Sequence, residues 1–561
     1  MGALFFVWLF GIRILDVTYV DWLLHSNDIE GSIDLTQHFL GWEFFRRTHW
    51  QFPVGLTEGI YWEPVSVVYT DSIPLFAMVC KLLSFLLPEH FQYFGWFGFL
   101  CYALLGGFAA LLVHRLTRRG PASMVAAVLF VANPVLLNRM FLHTALSAHF
   151  LIVAAFCLWA FQRDLSVSKK AGLWSLLIVC GTLINAYFTP MLFGILAVSL
   201  LQEVLEKQKP AALLWTFGSP LVLTSVAAFV TGFFYGDVPK TAGGLRVLSF
   251  NINGFFNPFT YLTAFGRHTQ GYRDMMYSAF LPGQALSTAY QNEGFSYLGL
   301  GVLVLGLLTL VLLVLQRRRL HEILHRPFVI SAGVLVVVFT FLALSPTATW
   351  GSHILYELKL PAPVENLWSA FRSTARFIWV VYYFVLASVP VLWTKLTEMK
   401  PKNRGRISGI AATAVLPLLV VVQLADLSPG YREKREAFHS LTPYESPLQA
   451  KAWEELGESV DAIIFYPDTE YGLYLDGKTS TDFEIYALNY DLRLNNTYMS
   501  RNLCAQADQK TMAHFKKRQE GESFRNILYV FFDDTDVTKL PSSYHLKYRV
   551  LDGYTVGTEQ E

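Results

Sequence analysis

The sequence predicts a polytopic α-helical membrane protein that ends in a small C-terminal α/β domain. Of its 561 residues, 53% are hydrophobic and only 16% are charged, whereas soluble domains carry about 25% charged residues. Long apolar runs recur through residues 1–427, and short basic clusters separate them. The net charge of +1 and the lack of a long basic tract give no indication of nucleic-acid binding.

The basic clusters assign a side of the membrane to each loop, because cytoplasmic loops of membrane proteins carry an excess of lysine and arginine. Such clusters occur at 114–119, 169–170, 207–209, 317–319 and 400–406. Placing all of them inside predicts a cytoplasmic N-terminus and an extracytoplasmic C-terminal domain.

Apolar runs close to the roughly 20 residues that cross a bilayer core predict about eleven spans. They lie near 3–24, 92–114, 122–140, 144–162, 171–187, 190–206, 211–235, 294–315, 328–345, 371–396 and 407–426. The predicted transmembrane domain therefore covers 1–427, with outer loops at 21–91, 236–293 and 346–370.

Two apolar runs fit this pattern less simply. Residues 72–87 are apolar enough to span, but counting them would reverse every later loop, so we expect them on the outer face, with spanning left open. The first run contains Arg13 and Asp16, which are costly inside a bilayer. Either these two face a protein interior, or the chain begins late relative to its true start.

Residues 428–561 predict a soluble extracytoplasmic domain. Strand-like runs at 462–466, 527–532 and 545–550 alternate with helical stretches such as 446–456. Alternation of this kind is typical of a small α/β fold.

The first outer loop carries residue types that are suited to catalysis. Asp34 is followed three and four positions later by Gln37 and His38, which would share its helical face and contact substrate. Trp42 would continue this helix as an amphipathic element at the membrane interface. Asp71 adds a second carboxylate at the start of the outer-face helix. Each acid also fits the simpler interpretation of a helix N-cap.

Further polar residues come from separate predicted helices. Arg372 and Arg376 are i,i+4 neighbours that enter a span from outside. Guanidinium groups bind phosphate bidentately, so these arginines, with Arg139 and His143, predict a site for a lipid phosphate. Snorkelling explains either arginine taken alone equally well. The remaining candidates for substrate contacts are Glu63, Tyr69, Asn185, Tyr187, Asn292 and Glu293.

Together these pieces resemble the GT-C superfamily of membrane glycosyltransferases, and more closely a set of bacterial multi-spanning proteins within or near it. The resemblance spans most of the membrane region and does not extend to the C-terminal domain. It rests on Asp34-x-x-Gln37-His38-Phe39-Leu40-Gly41-Trp42, Tyr69-Thr70-Asp71-Ser72-Ile73-Pro74, Glu293-Gly294-Phe295-Ser296-Tyr297 and Phe371-Arg372-Ser373-Thr374-Ala375-Arg376. The first outer loop lacks the acid pair of that class, and Asp28-Ile29-Glu30 comes nearest to it.

The resemblance implies a sugar donor carried on a polyprenyl phosphate at the outer leaflet of a bacterial plasma membrane. It implies that Asp34 is the general base for the acceptor hydroxyl and that Asp71 contacts the acceptor or a metal. The acceptor would be a glycan, a glycolipid or a protein. The cofactor is unknown, and a divalent metal is compatible with the sequence but not required by it.

Two other functions stay open at this point. A transporter or flippase for a lipid-linked glycan precursor would also handle a lipid phosphate, but that class tends to show internal repeats and ionisable residues at mid-membrane. A non-catalytic subunit of a cell-surface glycan assembly would need the C-terminal domain but not Asp34 or Arg376.

Overall fold

The computed structural model describes residues 1–25, 33–237, 239, 243–260, 275–398, 409–466, 474–475, 478–501, 503–519, 526–531 and 546–559. Within these residues, eight helices are long and apolar enough to cross a membrane, and a bent pair of helices brings the number to nine. A further apolar helix of 16 residues follows the second outer loop. The helical part of the chain is therefore compatible with a multi-pass membrane protein.

Most of the long helices are joined by short turns, whereas longer segments follow α3, α11 and α13. In chain order they are α1 (Gly2–Phe10), α2 (Asp21–Leu24), α3 (Asp34–Arg47), α4 (Pro74–Leu82), α5 (Phe94–Thr117), α6 (Gly120–Val131), α7 (Pro134–Arg139), α8 (Phe150–Phe161), α9 (Val167–Ile184), α10 (Phe188–Leu205), α11 (Pro210–Thr231), α12 (Leu300–Leu315), α13 (Arg326–Leu344), α14 (Ala362–Trp368), α15 (Ile378–Glu398), α16 (Gly409–Asp426) and α17 (Ser428–His439).

Among the described residues, the helical domain also contains three short antiparallel strand pairs. They pair β1 (Leu56–Thr57) with β2 (Val65–Ser66), β3 (Phe259–Thr260) with β4 (Met275–Met276), and β5 (Thr347–Trp350) with β6 (His353–Glu357).

The prediction of one continuous span over residues 3–24 was wrong. Helix α1 ends at Phe10, where Gly11 has a φ of 81° that a continuing helix does not allow. The Arg13 guanidinium then lies 3.9 Å from the centre of the Tyr19 ring. Asp16 accepts a hydrogen bond from the Thr18 amide, so a local side-chain turn competes with helix formation.

Residues 72–87 do not form a helix that could cross a membrane. Helix α4 has nine residues, or about 14 Å at 1.5 Å per residue, against a bilayer core of about 30 Å. The 3-10 turn that follows carries the exposed side chains of Phe85 and Leu86. This segment therefore lies beside the bundle of long helices.

Basic segments meet at one end of the bundle, which we call the far end. Arg115 forms a 2.5 Å ion pair with Asp164, and buried Lys170 forms one of the same length with Glu203. His325, which follows the 317–319 cluster, lies 3.6 Å from the Glu206 carboxylate beside the 207–209 cluster. The predicted cluster at 400–406 falls outside the described residues.

The predicted C-terminal domain with a sheet is confirmed. Its elements are α18 (Ala452–Ser459), β7 (Ala462–Tyr466), β8 (Tyr474–Leu475), β9 (Lys478–Thr479), α19 (Ser480–Tyr490), β10 (Arg493–Leu494), α20 (Cys504–Gln519), β11 (Ile527–Phe531), β12 (Leu546–Leu551) and β13 (Tyr554–Glu559). The strand order is β10-β7-β11-β13-β12. The β10–β7 and β7–β11 pairs are parallel, and the β11–β13 and β13–β12 pairs are antiparallel. The helix predicted from residue 446 begins only at Ala452.

The C-terminal domain packs on the segment between α3 and α5. The Leu494 amide donates to the Gly59 carbonyl over 2.8 Å, and the Ser500 amide donates to the Tyr69 carbonyl over 2.9 Å. An ion pair of 2.6 Å joins Lys510 to Glu63. These contacts bring the two parts of the chain together at the end of the bundle opposite to the far end.

Candidate functional site

A polar cavity, which we call the carboxylate cavity, lies where the C-terminal domain meets the helical bundle. It contains about 1120 Å³ of empty space, part of it open to solvent. Several separate parts of the chain contribute to its wall. The polar residues of the wall are Asp34, Gln37, His38, Tyr69, Asp71, His143, Thr182, Asn185, Tyr187, Arg372, Arg376, Tyr498, Ser500 and Arg501.

Helix α3 presents Asp34, Gln37 and His38 on the face that lines this cavity, as the spacing of three and four residues predicts. The interpretation of Asp34 as the N-cap was wrong, because Asp34 is already the first residue of the helix and Ile33 occupies the N-cap position. Asp34 instead lies within the first turn, where the helix dipole favours an ionised carboxylate.

The prediction that α3 is an interfacial amphipathic helix was also wrong. Every residue from Leu35 to Phe45 is buried, because the loop around residues 56–94 wraps around the helix. The Trp42 indole donates a 3.0 Å hydrogen bond to the Phe91 carbonyl. A helix that is enclosed in this way holds its polar face at a fixed position in the cavity.

Asp71 lies in a turn that packs against α3. Its φ of 53° places it in the left-handed region, which aspartate tolerates better than most residues. The Asp71 carboxylate accepts a hydrogen bond from the Asn185 side chain over 3.1 Å, and the Ser72 hydroxyl donates to the His38 carbonyl over 2.6 Å. Helix α4 begins only at Pro74, so Asp71 does not start that helix as predicted.

Burial raises the pKa of Asp71 to about 7. Arg376 and Arg372 oppose this shift by favouring the charged carboxylate, whereas the neighbouring charge of Asp34 adds to it. The two carboxylates therefore influence each other's ionisation within one cavity.

A buried carboxylate sits behind the arginine that enters the cavity. Glu293 accepts from Arg376 over 2.7 Å and lies 3.2 Å from Arg139. Burial alone would raise the pKa of Glu293, but Arg139, Arg376 and His143 hold it well below its usual value. Glu293 is thus an ion-pair partner behind the wall, where sequence reasoning had placed it among the substrate contacts.

Arg139 does not reach the cavity. Its side chain is 1% exposed, and its guanidinium donates to the Asn292 carbonyl over 3.0 Å as well as meeting Glu293. The predicted phosphate contact by Arg139 and the predicted substrate contact by Asn292 therefore have no support in the structure. The Arg139 guanidinium instead ties the segment that carries Asn292 and Glu293 to the helical bundle.

Glu63 also lies outside the cavity. It stands in the loop between β1 and β2, and its exposed carboxylate pairs with Lys510 of the C-terminal domain. The prediction that Glu63 contacts substrate has no support, because this loop faces the C-terminal domain and not the cavity.

Two tyrosines shape the cavity through their hydroxyl groups. The Tyr69 hydroxyl donates to the Phe233 carbonyl over 2.7 Å, and the Tyr187 hydroxyl accepts from the Ser373 amide over 2.7 Å. The Arg376 guanidinium lies 4.5 Å from the centre of the Tyr187 ring, within the range of a cation–π contact. Tyr187 therefore supports the turn that carries Arg372 and Arg376.

The two wall histidines are neutral at physiological pH. Burial lowers the pKa of His38 to about 3 and that of His143 well below its usual value. Arg139 donates to His143 Nδ1 over 3.3 Å, which makes that ring nitrogen the acceptor. Neutral imidazoles of this kind can exchange hydrogen bonds with the hydroxyl groups of a ligand without adding charge.

Sequence reasoning missed the residues that the C-terminal domain contributes. Tyr498, Ser500 and Arg501 all line the cavity. Arg501 Nη2 donates a hydrogen bond to the Ala370 carbonyl over 2.8 Å. The buried Nη1 of the same side chain has no hydrogen-bond partner among the described residues. No local motif marks this segment, and only the docking of the domain brings it to the site.

Among the described residues, no group of three or more His, Cys, Asp or Glu side chains is arranged to hold a metal ion. The acids at Asp28 and Glu30, which approach the acid pair of the resembling class most closely, fall outside those residues.

Fold and site together define a protein with a multi-span helical domain and an α/β domain that closes a charged cavity. The chain belongs to the family described as "Domain of unknown function (DUF6311)", whose model matches residues 1–428. A second model, described as the DUF6311 C-terminal domain, matches residues 452–559. A search of curated proteins found no match.

Proposed function

We propose that this protein is a membrane glycosyltransferase of the GT-C type, which moves a sugar from a polyprenyl-phosphate donor to an acceptor hydroxyl. The observation that carries the proposal is one cavity lined by Asp34 and Asp71 on one side and by Arg372, Arg376 and Arg501 on another. Carboxylates can take up a proton, and guanidinium groups can hold a phosphate leaving group.

The donor phosphate lies against Arg372 and Arg501 in this proposal. Arg376 is already hydrogen-bonded to Glu293, so fewer of its N–H donors are available to a phosphate. The buried Nη1 of Arg501 would gain a hydrogen-bond acceptor from a phosphate oxygen. A buried donor without a partner destabilises a protein by about 1–3 kcal/mol. A phosphate oxygen that accepts this hydrogen bond would remove that penalty.

Asp34 is the general base. Its place in the first turn of α3 favours the ionised form, whereas burial keeps Asp71 partly protonated near neutral pH. Asp34 accepts the proton of the acceptor hydroxyl as its oxygen bonds to the anomeric carbon. The bond from that carbon to the phosphate oxygen breaks, and its electron pair leaves with the polyprenyl phosphate. Attack from the side opposite to the phosphate gives inversion.

The remaining wall residues orient the sugar and the acceptor. Asn185 fixes the Asp71 carboxylate, and neutral His38 and His143 are available for hydroxyl groups. Arg372 and Arg501 stabilise the charge that develops on the leaving phosphate, which is commonly the largest single contribution to catalysis of this kind.

The proposed location is a bacterial plasma membrane with the carboxylate cavity outside. Ten crossings result when α12 and the bent pair are added to the eight long helices. Helix α1, with nine residues, is too short to be counted. The basic segments of the far end then face the cytoplasm, in agreement with the distribution of lysine and arginine in membrane proteins.

The test uses membrane vesicles that present a polyprenyl-phosphate sugar and an acceptor on the outer face. Asp34→Asn should lower the transfer rate by about 100-fold or more, the usual size of a general-base contribution. Glu63→Gln, which removes an acid of the same loop outside the cavity, should leave the rate unchanged. Protein levels are matched by immunoblot.

Transfer by Asp34→Asn at the unmutated rate would remove Asp34 as the base. Movement of the intact donor across the bilayer without transfer would instead identify a flippase. Product formation that needs the C-terminal domain but neither Asp34 nor Arg376 would identify a non-catalytic subunit.

A further inference from the structure

A second large cavity lies at the far end of the bundle. It contains about 1750 Å³ of empty space, part of it open to the outside. Helix α15 connects the two cavities: Arg376, just before this helix, lines the carboxylate cavity, and Lys395 lines the second one. At 1.5 Å per residue these positions are about 28 Å apart, which is close to the thickness of a bilayer core. We call this second site the far cavity.

The wall of the far cavity changes character along the bundle. Phe156 lies about two helical turns from Arg163, and Phe384 about three turns from Lys395, so these two rings provide a deep apolar part. Trp159 and Phe328 lie closer to the rim. Arg115, Arg163, His325 and Lys395 lie towards the ends of their helices and form a basic rim. A wall with a deep apolar part and a basic rim is complementary to a molecule that has an apolar chain and an anionic head.

The charges of the rim do not cancel. Arg115 pairs with Asp164, and Arg163 pairs with Glu206 over 2.6 Å. Lys395 has no hydrogen bond or ion pair with any residue that the structure describes. Its ammonium group is therefore the surplus positive charge of this wall, counted over the described part of the chain.

A polar atom inside the same cavity also has no partner. Gln162 is 4% exposed, and its side-chain oxygen makes no hydrogen bond to any described residue. A buried acceptor of this kind is satisfied by a hydroxyl group. A headgroup that carries both a phosphate and hydroxyl groups would meet Lys395 and Gln162 together.

We infer that the far cavity binds a lipid with an anionic phosphate headgroup, in the leaflet opposite to the carboxylate cavity. Basic pockets between membrane helices commonly take such headgroups. The chain of the lipid lies along the apolar part of the wall, which includes Phe156 and Phe384, and the phosphate lies against Lys395. The inference does not depend on the proposed transfer reaction. Phospholipids and polyprenyl phosphates share this chemistry, and a phosphatidylglycerol headgroup in addition offers hydroxyl groups to Gln162.

The test measures lipid binding to the delipidated full-length protein in detergent. Phosphatidylglycerol, phosphatidylcholine and a polyprenyl monophosphate are titrated separately, and the thermal unfolding midpoint gives an apparent Kd. Phosphatidylglycerol should bind at least about fivefold more tightly than phosphatidylcholine, since one lysine near an anionic headgroup contributes about that factor. Lys395→Gln should abolish this preference.

Matched variants separate the far cavity from other lipid contacts. Lys209→Gln removes an exposed charge near the same end of the bundle, outside the cavity, and should keep the preference. Ala387→Phe fills the apolar part of the far cavity and should weaken the binding of both phospholipids. Only the binding that Lys395→Gln removes is counted, so a polyprenyl phosphate held in the carboxylate cavity does not enter the comparison.

Two results would overturn the inference: equal binding of the two phospholipids to the unmutated protein, or equal effects of Lys395→Gln and Lys209→Gln. If Lys395-dependent binding is tighter for phosphatidylglycerol, the ligand is a phospholipid. If it is tighter for the polyprenyl monophosphate, the ligand is a polyprenyl lipid, and the site is supported in either case.

Discussion

Glu293 shows how single charges are distributed around the carboxylate cavity. It holds Arg139 behind the wall and Arg376 on the wall, with all three side chains mostly buried. A buried ion pair of this kind adds little net stability, but breaking it by removing one partner typically costs 3–5 kcal/mol. Its value here is positional, because it fixes the direction in which Arg376 enters the cavity.

The ionisation of Asp71 gives a prediction that does not depend on the reaction. Because the pKa of Asp71 is higher in the folded protein than its ordinary value, the folded state holds this proton more tightly. This contribution to stability is complete below the unfolded pKa of about 4. The contribution decreases as the pH rises to about 7. Above that value it is absent, and stability no longer changes with the ionisation of this group.

The measurement compares the unfolding midpoint of the unmutated protein with that of Asp71→Asn between pH 5 and pH 9. Asparagine tolerates the left-handed backbone and has no titrating proton. The variant should gain stability relative to the unmutated protein up to about pH 7, and then keep a constant difference. A difference that is independent of pH would contradict the raised pKa.

At the scale of elements, the turn from Val67 to Pro74 depends on its close fit against α3. Gly41 makes this approach possible, because a Cβ at that position would lie 2.5 Å from the Thr70 Cβ. The same turn places Ile73 at a φ of 53°, an unfavourable conformation for a β-branched residue. Packing against the helix therefore maintains a turn that the local sequence alone does not favour.

Gly41→Ala should accordingly displace the turn that carries Asp71. Overpacking of a buried contact costs about 1–3 kcal/mol, so the unfolding midpoint should fall. Gly107→Ala is the matched control, because no heavy atom lies within 4 Å of a Cβ added there. The control should be neutral or gain about 0.4–1 kcal/mol. Equal midpoints for the two variants would show that the turn does not require Gly41.

Sequence periodicity predicted the individual elements better than their surroundings. The face shared by Asp34, Gln37 and His38 follows from helical spacing, and most of the long helices follow from their apolar length. The burial of α3 could not be predicted, because it depends on how the loop after the helix and the C-terminal domain fold back over it. The break after Phe10 depends on the backbone of a single glycine, which hydropathy does not report.

At the scale of the whole molecule, the C-terminal domain is part of the site rather than an appendage. Arg501 reaches the carboxylate cavity because Ser500 is fixed to the Tyr69 carbonyl by both its amide and its hydroxyl. Sequence reasoning could not place Arg501, since no motif links it to residues more than 100 positions earlier. In the same way it assigned Glu63 and Arg139 to the substrate, because it could not see their ion-pair partners.

Arg501→Gln should weaken binding of a polyprenyl monophosphate to the full-length protein by about tenfold or more, the usual range for a hydrogen bond to a charged group. The Ser500 contacts remain, so the domain stays docked. Arg493→Gln removes an exposed arginine of the same domain and should leave the Kd unchanged. Identical Kd values for the two variants, measured by titration in detergent, would exclude Arg501 from phosphate binding.

The position of Arg501 late in the chain has a consequence for biosynthesis. During translation the two carboxylates and the turn from Ala370 to Arg376 leave the ribosome well before Tyr498 to Arg501. A nascent polypeptide inserted in the bilayer therefore holds a cavity that lacks one wall, however many of its helices are already in place. In the proposed reaction, the phosphate-binding wall is complete only once the C-terminal domain has docked.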